Sequence, residues 1–203
     1  MKIIETHTAP NPRRVRIFLA EKGIEVPYED VDLKSGPLRT PEFTARNPMQ
    51  RVPVLELDDG TWISESMAIC RYFEELRPDP PLFGRGAVGR ALVEMWNRRV
   101  ELGLWSAIMH SFRHLHPAMA DLEVPQIAEW GQANKPKALE NLGIINDQLA
   151  TNEFLAGSDF SVADITALVA VDFMKPARIS VPEEHRNLAR WHAQVSARPS
   201  ARA

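Results

Sequence analysis

The sequence contains very little cysteine, since Cys70 is the only one among 203 residues. A single cysteine cannot form an intrachain disulfide framework, a CxxC redox pair or a cysteine-rich zinc site. Cys70 directly follows the apolar Ile69 in a predicted helix, so we interpret it as a buried thiol that packs as a small hydrophobic group.

The sequence also lacks a large excess of charge of one sign, and it lacks long apolar runs. The net charge is -3 and the isoelectric point is about 6.1, so electrostatics gives no reason to expect nucleic acid or an anionic membrane as a partner. No apolar run approaches the roughly 18 residues of a membrane span. The N-terminus becomes acidic at Glu5, which is too early for a secretory signal peptide. We therefore expect a cytoplasmic protein.

What is present is an ordinary globular composition, with 44% hydrophobic and 25% charged residues. The first 77 residues alternate between strand and helix patterns. Predicted strands cover 2–6, 26–33, 52–57 and 61–63. Predicted helices start at Asn11 and Ser64, both of which are good N-cap residues. A βαβ unit followed by a hairpin and a helix predicts a small mixed sheet with helices packed on it.

A proline-rich segment, Arg77 to Pro81, ends this pattern and reads as part of a stiff linker. Strand patterns then disappear. Predicted helices cover 87–115, 124–151, 161–173 and 183–197. Ser161 and Asp164 match a capping box, which is a structural motif. We therefore predict an α/β domain over residues 1–77, a linker over 78–85 and an all-α domain over 86–203.

The stretch Arg51-Val52-Pro53, at the start of a predicted strand, indicates a ligand site. Proline removes a backbone donor, which a strand tolerates at its first residue. A cis bond before Pro53, typical of a tight turn, would leave the N–H and C=O groups of Val52 available to a peptide-like ligand. Glu65 and Ser66 follow at the next helix start, where unpaired N–H groups bind anions. The combination predicts a site for a small acidic peptide.

Several motifs, taken in chain order, resemble the cytosolic glutathione transferase family over essentially the whole chain. They are the first loop and helix start (TAPNPRRVR, 8–16), the strand start (RVPVL, 51–55), the signature ESMAI (65–69), and FLAG (154–157) with SVAD (161–164). The resemblance implies a thioredoxin-like N-terminal domain with an all-α C-terminal domain. It also implies glutathione as cosubstrate, no resident metal, and a homodimer.

The resemblance further implies roles for individual residues. Glu65 and Ser66 would hold the γ-glutamyl end of glutathione, although Ser66 could also be a simple capping residue. Val52 and Pro53 would present the backbone edge to the peptide. Arg51 would either contact the glycyl carboxylate or remain a solvated charge, and both interpretations stay open.

The end of the predicted 87–115 helix resembles the wall of the family's hydrophobic electrophile site. The residues concerned are Trp105, Met109, Phe112 and Arg113. They could equally form helix core. The nearby His110, His114 and His116 have a spacing that metal ligands can show, but no acidic or cysteine partner lies close by in the sequence. We interpret them as solvated or pocket-lining.

The chain departs from the family pattern at Ala9. These enzymes activate a thiol whose unperturbed pKa is about 8.5, and many bacterial and plant classes place a serine where Ala9 stands. Alanine has no hydrogen-bond donor, so Thr8 and Asn11 become the candidates. The Asn11 amide can donate two hydrogen bonds, or its side chain could cap its own helix. Both roles stay open.

Three functions follow from these patterns. The first is conjugation of glutathione to small hydrophobic electrophiles. The second is reduction of disulfides or peroxides with glutathione, because Pro10-Asn11 partially resembles the first loop of nu-class transferases, some of which reduce disulfides. The third is a non-catalytic glutathione-binding or interaction module, which Ala9 favours.

Overall fold

The computed structural model describes residues 1–33 and 36–203. The chain divides into two compact units. The first is Met1–Pro81 together with Pro199–Ala203, and the second is Leu82–Arg198. The first unit contains a mixed sheet with helices, and the second is helical. This confirms the predicted fold class, a thioredoxin-like α/β part combined with an all-α part.

The first unit follows the predicted order of strands and helices. Its elements are β1 (Lys2–Glu5), α1 (Pro10–Lys22), β2 (Tyr28–Asp30), α2 (Pro41–Arg46), β3 (Val54–Glu56), β4 (Trp62–Ser64) and α3 (Ser66–Leu76). The sheet order is β2-β1-β3-β4. β1 pairs parallel to β2 and antiparallel to β3, and β3 pairs antiparallel to β4. β2 and β4 are therefore the two edges.

Alternation along the strands decides which residues form the core of this unit. Ile4 and Val54 are register partners and pack with Phe43 of α2 on one face. Ile3 and Leu55, also register partners, point to the opposite face and are completely buried. The helices α1 and α3 pack against each other. The sheet is thus covered by apolar side chains on both faces.

The second unit is built from long helices. They are α4 (Gly86–Arg99), a π-helical segment (Val100–Trp105), α5 (Ser106–Leu115), α6 (Ala128–Gln148), α7 (Val162–Phe173) and α8 (Arg186–Ser196). α7 is the central helix, because every residue from Val162 to Val171 is buried. No helix in the described ranges is both long and apolar enough to cross a membrane.

Both predicted N-caps of the first unit were wrong. α1 begins at Pro10 with Ala9 as its N-cap, because proline fits the first helical position. Asn11 therefore lies inside the first turn. α3 begins at Ser66 with Glu65 as its N-cap. Ser64 cannot cap it, because Ser64 pairs with Val54 in the sheet.

The predicted lengths of two elements were also wrong. The 87–115 helix is interrupted between α4 and α5 by the π-helical segment. A β-carbon added at Gly103, in this segment, would lie 2.1 Å from Asn141 Oδ1 of α6, so a larger residue there would displace the Asn141 side chain. The strand predicted over 26–33 is shortened to Tyr28–Asp30, because only these residues pair with β1.

Candidate functional site

Three chain segments converge at one end of the sheet in the first unit. Ile4 of β1 and Ser64 of β4 are both register partners of Val54. The residues that follow β1, precede β3 and follow β4 must therefore lie side by side. They are the loop into α1, the Val52-Pro53 pair and the Glu65-Ser66 pair. Two helix N-termini consequently open at the same end of the sheet as the strand start.

The segment before β3 is held in place by a buried asparagine. Asn47 donates a side-chain hydrogen bond to the Arg51 carbonyl oxygen at 2.8 Å, and its own carbonyl accepts from Gln50 N at 3.0 Å. The Val52–Pro53 peptide bond is cis, and both residues are buried. The Arg51 side chain is exposed. The strand start is therefore a fixed backbone edge with an arginine on its outer side.

The turn between β4 and α3 holds a residue in a disfavoured backbone conformation. Glu65 has φ 71° and ψ 116°, where an L side chain is crowded, at a cost of about 1–3 kcal/mol. Such strain persists only where its surroundings enforce it. Ser66 follows as the first helical residue and is only 7% exposed. In the part of the chain that the structure describes, no side-chain hydrogen bond caps α3 at Glu65.

The first turn of α1 offers few donors. Pro10 and Pro12 have no N–H, and the N–H of Ala9 bonds to the Thr6 carbonyl oxygen at 2.9 Å. Asn11 is thus the only one of the first three helical residues with a backbone N–H, and this group has no intrahelical partner. Thr8 is exposed in the loop that precedes the helix.

The Asn11 side chain is oriented by a buried arginine. Arg14 Nη2 lies 3.3 Å from Asn11 Oδ1, and Arg14 is buried. A guanidinium only donates hydrogen bonds, so the amide atom that faces it must be the oxygen. The Asn11 amide nitrogen, the donor, then points away from Arg14. Sequence reasoning missed Arg14, although its i+3 spacing from Asn11 was a usable signal.

Two of the candidate electrophile residues of the second unit, Trp105 and Phe112, form an aromatic cluster with Phe173. The ring centroid of Phe173 lies 5.6 Å from that of Trp105 and 4.9 Å from that of Phe112. Trp105 is only 7% exposed, and Phe112 and Met109 are half-buried. Phe173 was missed because it lies on α7, far from the others in sequence. Trp105 ends the π-helical segment, a feature often found at functional sites.

Arg113 and the nearby histidines carry the polar contacts of this region. Arg113 Nη1 lies 3.3 Å from Glu123 Oε2, and His114 Nε2 lies 3.7 Å from Glu123 Oε1. Glu123 is therefore an acidic neighbour of His114 in space, although it is not close to it in the sequence. Burial lowers the pKa of His110, with His114 and Arg113 adding to the effect. Among the described residues, no group of three or more histidine, cysteine, aspartate and glutamate side chains could hold a metal ion.

The single cysteine does not take part in chemistry at this site. Cys70 lies in α3 and is buried, and burial raises the pKa of its thiol to about 12. The thiol is therefore protonated and inaccessible at neutral pH. Any thiolate chemistry has to come from a bound thiol.

The chain is similar to glutathione transferases by every comparison with known proteins. The family models "Glutathione S-transferase, N-terminal domain" and "Glutathione S-transferase, C-terminal domain" match residues 8–76 and 105–199. Glutathione S-transferase 2 of Saccharomyces cerevisiae is 37% identical over 205 residues, covering 100% of this chain and 88% of that protein.

Solved structures and more distant relatives extend this similarity. The crystal structure of a glutathione S-transferase domain-containing protein from Marinobacter aquaeolei matches with a TM-score of 0.95 at 44% identity, covering 98% of this chain and 99% of that one. FtsZ-localized protein A of Caulobacter vibrioides is 28% identical over 204 residues, covering 95% of this chain and 85% of that protein.

Proposed function

Because the chain belongs to the glutathione S-transferase family, we propose that it conjugates glutathione to small hydrophobic electrophiles. The observation that carries this proposal is the strained Glu65 beside Ser66, at the end of the sheet where Val52 and Pro53 also lie. Strained residues of this kind cluster at binding sites. Residues 1–77 would bind glutathione, and residues 86–203, beyond the linker 78–85, would bind the electrophile.

Glutathione fits the backbone geometry of this site. The N–H and C=O groups of Val52 would pair with its peptide backbone, and Ser66 and Glu65 would hold the γ-glutamyl end at the α3 N-terminus. Helix-end attraction supplies about 0.3–1 kcal/mol, so direct hydrogen bonds have to contribute the rest. Arg51 would contact the glycyl carboxylate from the outer side of the strand start.

Stabilisation of the glutathione thiolate would fall to Asn11, with Thr8 assisting. Asn11 does not cap α1, because Ala9 occupies the N-cap position. Its amide oxygen faces Arg14, which leaves the amide N–H groups and the backbone N–H for the sulfur. Donors directed at a thiolate lower its pKa.

The electrophile would bind against the aromatic cluster of the second unit. Trp105, Phe112 and Met109 supply apolar surface, and Phe173 holds the two aromatic rings together. Arg113 would stay at the polar margin through its ion pair with Glu123. Apolar walls of this kind accept many substrates, so the proposal names a class of substrate, small hydrophobic electrophiles.

Two other functions have specific support. Pro10-Asn11 favours glutathione-dependent reduction of disulfides or peroxides. The similarity to FtsZ-localized protein A, together with Ala9, favours an interaction module. Retention on immobilised glutathione, followed by turnover with a chloronitrobenzene and with hydroxyethyl disulfide, separates the three. Conjugation predicts retention and turnover of the chloronitrobenzene. Retention without either turnover would contradict both enzymatic proposals, and loss of retention would contradict the site.

The chain would act as a homodimer. Apolar side chains are exposed at Val88 (73%), Leu92 (40%) and Leu102 (60%), spaced along one stretch of α4 and the π-helical segment, which suits burial against a second copy. Light scattering should give twice 22.9 kDa, and Leu102→Glu should shift the protein toward the monomer mass. Wild-type protein at the monomer mass across micromolar concentrations would contradict the dimer.

A further inference from the structure

A cavity lies in the first unit between α1 and the edge strand β2, apart from the candidate glutathione site. Its volume is about 870 Å³, within the size range of small-molecule sites. It is lined by Ala203 and by residues from the end of β1 and the loop after it, the second half of α1, the α1–β2 connection and β2. None of the residues that we assign to glutathione lines this cavity. The proposed function therefore leaves it without a role.

One side of the cavity is apolar. It is formed by Leu19, Ala20, Ile24 and Val26. Leu19 and Val26 are also buried in the core of the unit, so this side is fixed by packing, while Ala20 is exposed at the surface of α1. A ligand here would find a preformed apolar wall.

The other side is built on a buried ion pair. Glu5 is 3% exposed and Arg16 is 7% exposed. Arg16 Nη1 donates to Glu5 Oε2 at 2.7 Å, and Arg16 Nη2 donates to the His7 carbonyl oxygen at 2.8 Å. The second oxygen of Glu5, Oε1, lies 3.6 Å from His7 Nδ1, which is beyond hydrogen-bond distance. The buried carboxylate thus keeps one oxygen without a hydrogen bond to His7 or Arg16.

Two further carboxylates, those of Asp30 and Glu25, line the cavity. Asp30 accepts the backbone N–H of His7 through Oδ1 at 2.8 Å. Burial raises the pKa of Tyr28, and the Glu5 carboxylate raises it further, so the phenol stays protonated beside that carboxylate. Carboxylates lining the cavity outnumber its guanidinium by three to one. The polar side therefore favours a cation that donates hydrogen bonds.

We propose that this cavity is a second ligand site that takes a small organic amine with an apolar body. The ammonium group would donate to Glu5 Oε1, to Asp30 and to the Tyr28 hydroxyl oxygen. The apolar body would lie against Leu19 and Ile24. A carboxylic acid of the same shape would meet the like charge of Glu5 and Asp30. The site selects by charge at one end and by apolar contact at the other.

Three probes of similar shape test the choice of ligand class: phenethylammonium, 2-phenylethanol and 3-phenylpropionate. Each is titrated into the full ¹⁵N-labelled chain at pH 7 while backbone amide shifts are recorded. We expect phenethylammonium to shift the amides of His7, Ile24 and Asp30, and to bind several-fold more tightly than the alcohol. Equal binding of amine and alcohol, tighter binding of the acid, or no shift with any probe would each overturn the proposal.

Two variants test the location. Asp30→Asn keeps an acceptor for the His7 N–H but removes the charge, and should weaken phenethylammonium binding about threefold to fivefold, the value of a partly exposed charge pair. Ala20→Phe fills the cavity from the exposed face of α1 and should abolish binding. Ala189→Phe, at an exposed position of α8, is the steric control and should change nothing.

Folding and the main site are monitored separately. Thermal unfolding shows whether each variant is folded, and glutathione affinity shows whether the other site is intact. Both should stay close to wild type in all three variants. Unchanged amine binding in a folded Ala20→Phe variant would overturn the location. If the wild-type protein did not bind glutathione, the proposed function would be contradicted, but the test of amine binding would be unaffected.

Discussion

The N-termini of α7 and α3 differ in how the free backbone N–H groups of the helix are satisfied. A helix start leaves backbone N–H groups without intrahelical partners. At α7 the chain itself satisfies them, through a complete capping box formed by Ser161 and Asp164. At α3 the N-cap is Glu65, strained at φ 71°, and no described side chain caps the helix there.

The two helix starts also differ in what surrounds them. Asp164 is completely buried and accepts hydrogen bonds from Leu155 N, Ser161 N, Ser161 Oγ and Trp191 Nε1, at 2.9–3.1 Å. It therefore ties the α7 start to the preceding loop and to α8. The α3 start instead opens at the end of the sheet, next to Val52 and Pro53. A helix start whose donors the protein satisfies is structural, whereas one left open beside a strained residue suits a ligand.

The largest effect should come from removing the Asp164 carboxylate, the hydrogen-bond acceptor at the N-terminus of α7. Asp164→Ala leaves the donors of Leu155, Ser161 and Trp191 buried without a partner, at about 1–3 kcal/mol for each group. We expect the free energy of unfolding, measured in urea, to fall by about 4 kcal/mol or more. Asp159→Ala, at an exposed position five residues earlier, should stay within about 0.5 kcal/mol of wild type. If Asp164→Ala lost no more stability than Asp159→Ala, the hydrogen bonds to Asp164 would not contribute to the stability of the fold.

The same aspartate gives a dependence on pH. Burial raises the pKa of Asp164 from 3.8 to about 6, so the folded state holds a proton that the unfolded state has released between these values. Stability then falls as the pH rises through this window. The stability advantage of wild type over Asp164→Ala should therefore narrow between about pH 4 and pH 6. An advantage that widens over this range would mean that the hydrogen bonds outweigh desolvation.

At the N-terminus of α3, a substitution should change the affinity for glutathione. Ser66→Ala is expected to weaken glutathione binding by about 1–3 kcal/mol, the range for a lost hydrogen bond to a charged group, as measured by calorimetry. The matched change at the N-terminus of α7, Ser161→Ala, should lower the free energy of unfolding by about 1 kcal/mol and leave glutathione affinity unchanged. Unchanged affinity in Ser66→Ala would remove Ser66 from the proposed site.

A third helix start, that of α1, tests whether Asn11 serves the sulfur. Asn11→Asp keeps the acceptor that faces Arg14 and places a negative charge near a helix N-terminus, so stability should be unchanged or slightly higher. Aspartate cannot donate to a thiolate and repels it. Turnover with a chloronitrobenzene should therefore fall at least about tenfold, equivalent to about 1.4 kcal/mol. Turnover at the wild-type rate would exclude Asn11 as the thiol donor.

The smallest effect is expected from adding a hydroxyl at the α1 cap. Ala9→Ser supplies a donor where serine classes have one, and should lower the bound thiol pKa by up to about one unit, or 1.4 kcal/mol. Ultraviolet absorbance of the bound thiolate against pH measures this shift. Serine is also a better N-cap than alanine, so stability should rise by about 0.5–2 kcal/mol. A stability gain without any shift in thiol pKa would place the sulfur away from Ala9.

Local patterns predicted much of the fold and failed where a long-range contact competed with them. The hairpin turn between β3 and β4 and the Ser161–Asp164 box depend on neighbouring residues, and both form as predicted. Ser64 has the chemistry of an N-cap, yet pairing with Val54 draws it into β4. Periodicity likewise predicted one continuous helix over 87–115 and did not indicate the π-helical segment between α4 and α5.

The sequence by itself determined which residue types stand at the candidate site, including the proline after Val52, the Glu65-Ser66 pair and the alanine at position 9. These are properties of single positions and their nearest neighbours. Only the tertiary structure decided that Val54 aligns Ile4 with Ser64 and so brings three segments together. It alone decided that Phe173 joins Trp105 to Phe112. Strand register and helix packing are set by the burial of many side chains at once, and no local pattern contains that information.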